Sequence, residues 1–142
     1  YAAGNTLEST KGAQWIMGNV VEGLGLETMN HSLVYVVVIF VCMYSHLIFT
    51  SKTVRTTILI PSIIALAKTL GMDPVTLALA ASFTLTYTVT LPPHSKVNTI
   101  YFATGYFSVI DQMKYGLITC FISAVIISIS VFTWFQVLGY GL

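Results

Sequence analysis

A chain of 142 residues in which 56% are hydrophobic and only 8% charged, with a mean hydropathy of +0.84, stands far from the roughly 25% charged composition of soluble domains. That balance excludes a soluble enzyme, a disordered tail and a nucleic-acid binder, the last because a net charge of +1 supplies no basic stripe for a phosphate backbone. The chain reads as an all-α polytopic membrane protein, its six basic and five acidic residues gathered at short polar junctions between uncharged runs.

Residues 1–30 carry four of the charges among apolar and Gly positions, and Trp15, followed by Ile16 and Met17, has the character of an interfacial anchor. They are expected to form an amphipathic lead-in or the end of a preceding helix. The opening Tyr1-Ala-Ala-Gly-Asn lacks a Met, a basic n-region and a cleavage site, so no signal peptide is expected, and the chain reads as a fragment of something longer. Residues 32–50 are uncharged, with His46 as the one polar ionisable group. Such a run of about 19 residues reaches about 28 Å as a helix, close to the ~30 Å hydrocarbon thickness. His46, on an apolar face, reads as a helix-packing hydrogen-bonding group rather than a ligand.

The polar turn Ser51-Lys52-Thr53 and Arg55 then interrupt the apolar sequence before ILIPSIIALAKTLG, which stops at Gly71. This predicts a helical hairpin over 31–71 with its tip at 51–53, crossing twice or dipping in and returning. Asp73-Pro74 is a helix start, Asp as cap and Pro at the first helical position. The helix that follows carries Thr84, Thr86, Thr88 and Thr90 in alternation up to Pro92-Pro93-His94. An isolated strand leaves its backbone unpaired in lipid, so the segment is either a helix with back-bonded Thr hydroxyls or one that unwinds along a polar cavity. Residues 73–110 are therefore expected to form a discontinuous transmembrane helix unwound over 88–99, the pattern that builds binding sites near the midplane. Residues 111–142, with Trp134 near the end, are long enough for a last transmembrane helix.

Two constellations could carry chemistry. At the Ser51-Lys52-Thr53 turn, hydroxyls, an ammonium and the positive end of the next helix would suit a carboxylate; the alternative is a solvent loop kept out of the bilayer by Lys52 and Arg55. Around the break, Thr90, the carbonyls near Pro92 and Pro93, His94, Lys96 and Asn98 would suit a polar solute or a cation; the alternative is a surface loop. Cys42 and Cys120 lie far apart in apolar runs and read as inert thiols. No GxSxG, HExxH, P-loop or GxGxxG occurs, so no catalytic residue, metal ligand or enzyme activity is expected.

The order Thr50-Ser51-Lys52-Thr53, ILIPSIIALAKTLGMDP, a Thr-rich helix ending in Pro92-Pro93, and Asn98-Thr-Ile-Tyr-Phe-Ala-Thr-Gly105 resembles the C-terminal part of the divalent anion/sodium symporter family. The resemblance implies a fragment of an inverted-repeat transporter: a re-entrant hairpin, a broken helix and a terminal helix, with the rest of the protein upstream. It further implies a homodimer in the plasma membrane that moves di- or tricarboxylates such as succinate, malate or 2-oxoglutarate by an elevator-type displacement. Ser51, Lys52 and Thr53 would stand in the family's Ser-Asn-Thr motif, and Thr90, Pro93 and Asn98 near its second substrate-binding loop. Here Lys52 stands where the family has Asn, and His94-Ser95-Lys96-Val97 separates Pro93 from Asn98. Cationic groups at Lys52, His94 and Lys96 would repel sodium, so no cofactor ion is expected and sodium-independent obligate exchange is the primary expectation. A sodium- or proton-coupled symporter is the alternative, and a non-transporting anchor or accessory subunit the second.

Overall fold

A computed structural model describes residues 23, 25, 29–47 and 51–139. The expected lead-in over 1–30, with Trp15, lies almost wholly outside these residues, as do Thr50 and the last three positions.

The first helix, α1 (His31–Tyr44), is uncharged, and the Asn30 carbonyl opens it by accepting the Leu33 and Val34 N–H groups at 2.8 and 3.2 Å. It passes into a single 3₁₀ turn, Ser45–Leu47, where the Ser45 hydroxyl donates back to the Cys42 carbonyl at 2.7 Å. The apolar run therefore does not continue as one α-helix to residue 50. Helix α2 (Lys52–Thr69) starts at Ser51, whose Oγ accepts the Val54 N–H at 3.4 Å. It ends where Gly71 takes φ +68 and the Met72 and Gly71 N–H groups return to the Ala67 and Lys68 carbonyls. That is a Schellman ending, in which glycine carries the left-handed residue without a Cβ penalty.

Helix α3 (Pro74–Leu85) begins as expected: the Asp73 carboxylate accepts the Val75 and Thr76 N–H groups at 3.3 and 2.9 Å, with Pro74 at the first position. The threonine run begins as the back-bonded helix. Thr84 and Thr86 donate to the Ala81 and Phe83 carbonyls at 2.7 and 2.9 Å, and the chain then leaves the helix. A 3₁₀ turn, Pro92–His94, interrupts the non-helical stretch, and α4 (Lys96–Ala103) follows. The break thus runs over 86–95 rather than 88–99, because Ser95 caps a new helix by accepting the Val97 N–H at 3.3 Å. Lys96, Asn98 and Thr99 are helical residues. Gly105, at φ +76, adds a second interruption inside the unit expected to run to 110.

The last helix starts two residues before the expected 111. In α5 (Val109–Ser130) Ser108 and Asp111 form a reciprocal capping box, and a π-turn, Val131–Phe135, continues the rod. Among the described residues, Val109–Phe135 is the one helix both long and apolar enough to cross a bilayer; His31–Leu47 and Pro74–Leu85 are apolar but shorter.

The core lies where α3 packs against α1 and α2 and α1 packs on α5. It holds Val34, Tyr35, Ile39 and Met43 of α1, Leu66 of α2, Leu77 and Ala81 of α3, and Val131. On α5 the buried positions are Gly116, Cys120, Ala124 and Ser128, every fourth residue and all small. Between apolar helices in lipid, small residues let backbones approach and gain dispersion contacts, since no water is expelled to drive association. A Cβ at Gly116 would lie 2.6 Å from the Thr90 Cα, so this glycine is what lets α5 lie against the break. Ile118, Ile122, Ile126 and Ile129 face outward, and Trp134 is 62% exposed.

Candidate substrate site at the hairpin turn and the helix break

Ser51, Lys52 and Thr53 are exposed together at the start of α2. Their position follows from local chemistry: Ser51 caps the helix, its carbonyl accepts the Arg55 N–H at 3.1 Å, and the Thr56 and Thr57 hydroxyls fold back onto the Lys52 and Thr53 carbonyls. The N-terminus of an 18-residue helix lies here, with the positive end of the dipole. The turn can receive an anion.

One turn further into α2, Arg55 is fully buried, at 0% exposure. Its Nε donates to the Ser45 hydroxyl at 3.0 Å, one terminal nitrogen to the Cys42 carbonyl at 2.9 Å and the other to the Tyr87 carbonyl at 3.2 Å. One guanidinium thus ties the end of α1, the start of α2 and the non-helical stretch into a single unit. All three acceptors are neutral, and among the described residues no carboxylate pairs with it. Read from the sequence, Arg55 only keeps a loop out of the bilayer. A signal for its burial was present: Arg55 shares a helical face with Ser62, Ile63, Leu66 and Ala67, the other buried residues of α2.

The break has its own polar network. His46 sits with Nδ1 2.5 Å from the Met43 carbonyl and Nε2 2.7 Å from the Thr90 Oγ1. Thr90 Oγ1 lies 3.3 Å from Nδ1 of His94, and the two imidazoles meet edge to face at 5.3 Å. His46 is thus the hydrogen-bonding group its apolar setting suggests, and its partner is 44 residues away in sequence. Asn98 donates to the Thr88 and Leu91 carbonyls at 2.8 and 3.2 Å, and Thr99 to the Pro92 carbonyl at 2.9 Å. Without those donors the carbonyls of the unwound stretch would be unpaired inside an apolar protein, a costly condition.

Of the sequence-predicted residues, Thr90 and His94 are in contact and buried, Asn98 lies one segment on and holds the same stretch, and Pro93 is exposed beside them. Lys52 and Lys96 are exposed, each in the first turn of its helix, so they do not join His94 in a buried cationic cluster. The buried cation is Arg55. Among the described residues, no three His, Cys, Asp or Glu side chains converge as a metal site.

Residues 1–140 match the family described as sodium:sulfate symporter transmembrane region. The chain belongs to this family. Its members are transporters, not enzymes, and the family places the chain in a membrane. The chain is 32% identical over 85 residues to the Na(+)/citrate cotransporter of Mus musculus, covering 60% of this chain and 15% of that protein. It is 27% identical over 112 residues to the sodium-dependent low-affinity dicarboxylate transporter 1 of Caenorhabditis elegans, 77% of this chain and 19% of the relative. With Na(+)/dicarboxylate cotransporter 3 of Rattus norvegicus it shares 30% over 88 residues, 62% of this chain and 15% of that protein. The chain spans less than a fifth of the length of these relatives. All three are named as sodium-dependent or cotransporters, which weighs against the expectation of exchange.

Proposed function

We propose that this chain contributes to the transport core of a sodium-coupled di- or tricarboxylate cotransporter in the plasma membrane. The observation that carries the reading is the sodium:sulfate symporter match over residues 1–140, together with the sodium-coupled carboxylate carriers among its relatives. In this reading the hairpin over 31–71 is re-entrant and the broken helix and α5 complete one half of the core. The upstream remainder of the carrier supplies the other half, and two protomers pair in an elevator-type mechanism. The Ser51 and Thr53 hydroxyls and the α2 N-terminus hold one carboxylate, Lys52 adds a favourable field, and Thr90, Pro93 and Asn98 form the facing wall. Lys96 stays solvated at the rim.

Symport also agrees with the placement of Lys52. An exposed ammonium carries little of the desolvation cost that would oblige an empty carrier to wait for an anion before moving. The second reading, sodium-independent exchange, rests on Arg55, a buried cation that no described carboxylate neutralises. The test is uptake of labelled succinate by the complete carrier in proteoliposomes. An inward sodium gradient should drive accumulation above equilibrium, and replacing sodium by choline should abolish it. Uptake without sodium that requires internal dicarboxylate would establish exchange instead, and no uptake in either condition would leave an accessory subunit.

A further inference from the structure

The Met43 carbonyl fixes the direction of a hydrogen-bonded chain. A carbonyl only accepts, so the His46 Nδ1 beside it bears the proton. In the neutral ring Nε2 is then a lone pair, and it accepts from the Thr90 hydroxyl. With its single proton spent, Thr90 Oγ1 accepts from the Nδ1 proton of His94. In neutral His94 this leaves Nε2 as a bare acceptor. It is buried, on a residue only 5% exposed, and has no hydrogen-bond partner. The chain thus sets the tautomer of an unpaired nitrogen through a backbone carbonyl about fifty residues away in sequence.

We propose that His94 Nε2 accepts a hydrogen bond from the hydroxyl of the transported acid, making it a specificity-determining group for 2-hydroxydicarboxylates. This rests on the carboxylate-transport reading above and names the substrate class more narrowly. The waiting group is an acceptor, so its ligand must donate. Arg55, which donates to Ser45 beside His46 and to Tyr87 in the same non-helical stretch, puts a positive charge in this network, which favours a donor borne on an anion. A hydroxy-carboxylate is both. His94 is carried on a 3₁₀ turn in the stretch that also holds Thr90 and Pro93, the residues assigned above to the substrate wall.

The experiment compares the affinities of malate, succinate and 2-fluorosuccinate for the complete carrier in competition with a labelled dicarboxylate. Fluorine approximates the hydroxyl in size but donates nothing. Malate should bind about tenfold to hundredfold tighter than either analogue, the range for a buried acceptor left unpaired. His94→Phe should collapse that preference, whereas His94→Asn, which keeps an acceptor, should retain part of it. His46→Phe, which frees the Thr90 proton and with it the tautomer of His94, should also reduce it. Equal binding of malate and 2-fluorosuccinate by the wild-type carrier would overturn the proposal without any variant having to fold, as would an unchanged preference in His94→Phe. Failure of all three acids to bind would instead overturn the carboxylate-transport reading.

Discussion

Replacing Arg55 separates its charge from its shape, and the two should matter in an unexpected order. The guanidinium makes three hydrogen bonds to neutral oxygens. Against them stands the cost of a cation in an apolar interior, about 2.5–3.5 kcal/mol on insertion scales. Arg55→Met keeps much of the volume and removes that cost. Ser45 still donates to the Cys42 carbonyl, so the principal acceptor orphaned is the Tyr87 carbonyl, a loss of about 1–3 kcal/mol. The net change then lies between about 2.5 kcal/mol of stabilisation and about 0.5 kcal/mol of destabilisation. Arg55→Lys keeps the desolvation cost but replaces a planar fork with one ammonium, which cannot reach all three oxygens in the same geometry. The conservative substitution should therefore destabilise more than methionine does. The assay is thermal unfolding of the complete carrier in detergent, followed by a thiol-reactive fluorophore, since Cys42 and Cys120 are free and buried. A lysine variant as stable as wild type beside a collapsed methionine variant would refute the reasoning. It would mean that a carboxylate outside the described residues pairs with Arg55.

Gly116→Ala should force α5 away from the break, because its Cβ would meet the Thr90 backbone at 2.6 Å. A loss of about 1–3 kcal/mol, typical of overpacking, should appear as a lowered unfolding temperature together with weakened dicarboxylate binding. Asp73→Ala removes the cap of α3 and should cost about 0.5–2 kcal/mol. The Thr76 hydroxyl and the Thr76 and Val75 N–H groups, in the first turn of that helix, hold the carboxyl of Asp73, in the loop before it, below the usual range. Its contribution is therefore complete above the unfolded value of about 3.9 and is lost as pH falls through the lower folded value. Stability profiles between pH 5 and 2 should fall less steeply in Asp73→Ala than in wild type. Lys52→Cys, at an exposed tip, should react with an aqueous maleimide and be protected by succinate; unchanged reactivity would make the turn an ordinary loop.

Where the residues themselves impose a conformation, the reading from sequence was close. Asp73-Pro74 opens α3 and Gly71 closes α2, because capping and left-handed φ depend on neighbours one to three residues away. The non-helical stretch ends earlier than the 99 expected from the polar run, since the Ser95 cap restarts the helix at Lys96. Arg55 and Lys52 look alike in sequence, two cations in one polar turn. The fold separates them along the helix rather than around it: i and i+3 lie on one side, but Lys52 stands at the exposed first position of α2 while Arg55, one turn deeper, meets the end of α1 and the break.

Apolar runs, caps and breakers, all short-range features, were enough to make this an all-helical membrane chain with a polar turn before α2 and a non-helical stretch after α3. Which cation is buried, which carbonyls Asn98 satisfies, and the pairing of His46 with Thr90 and His94 depended on segments tens of residues apart coming together. Burial and hydrogen-bond polarity belong to such meetings and to no stretch of sequence alone. The low charge content with which the chain is first met therefore acquires its sense only in three dimensions: among the described cations, Arg55 is the one the fold encloses, with neutral oxygens around it.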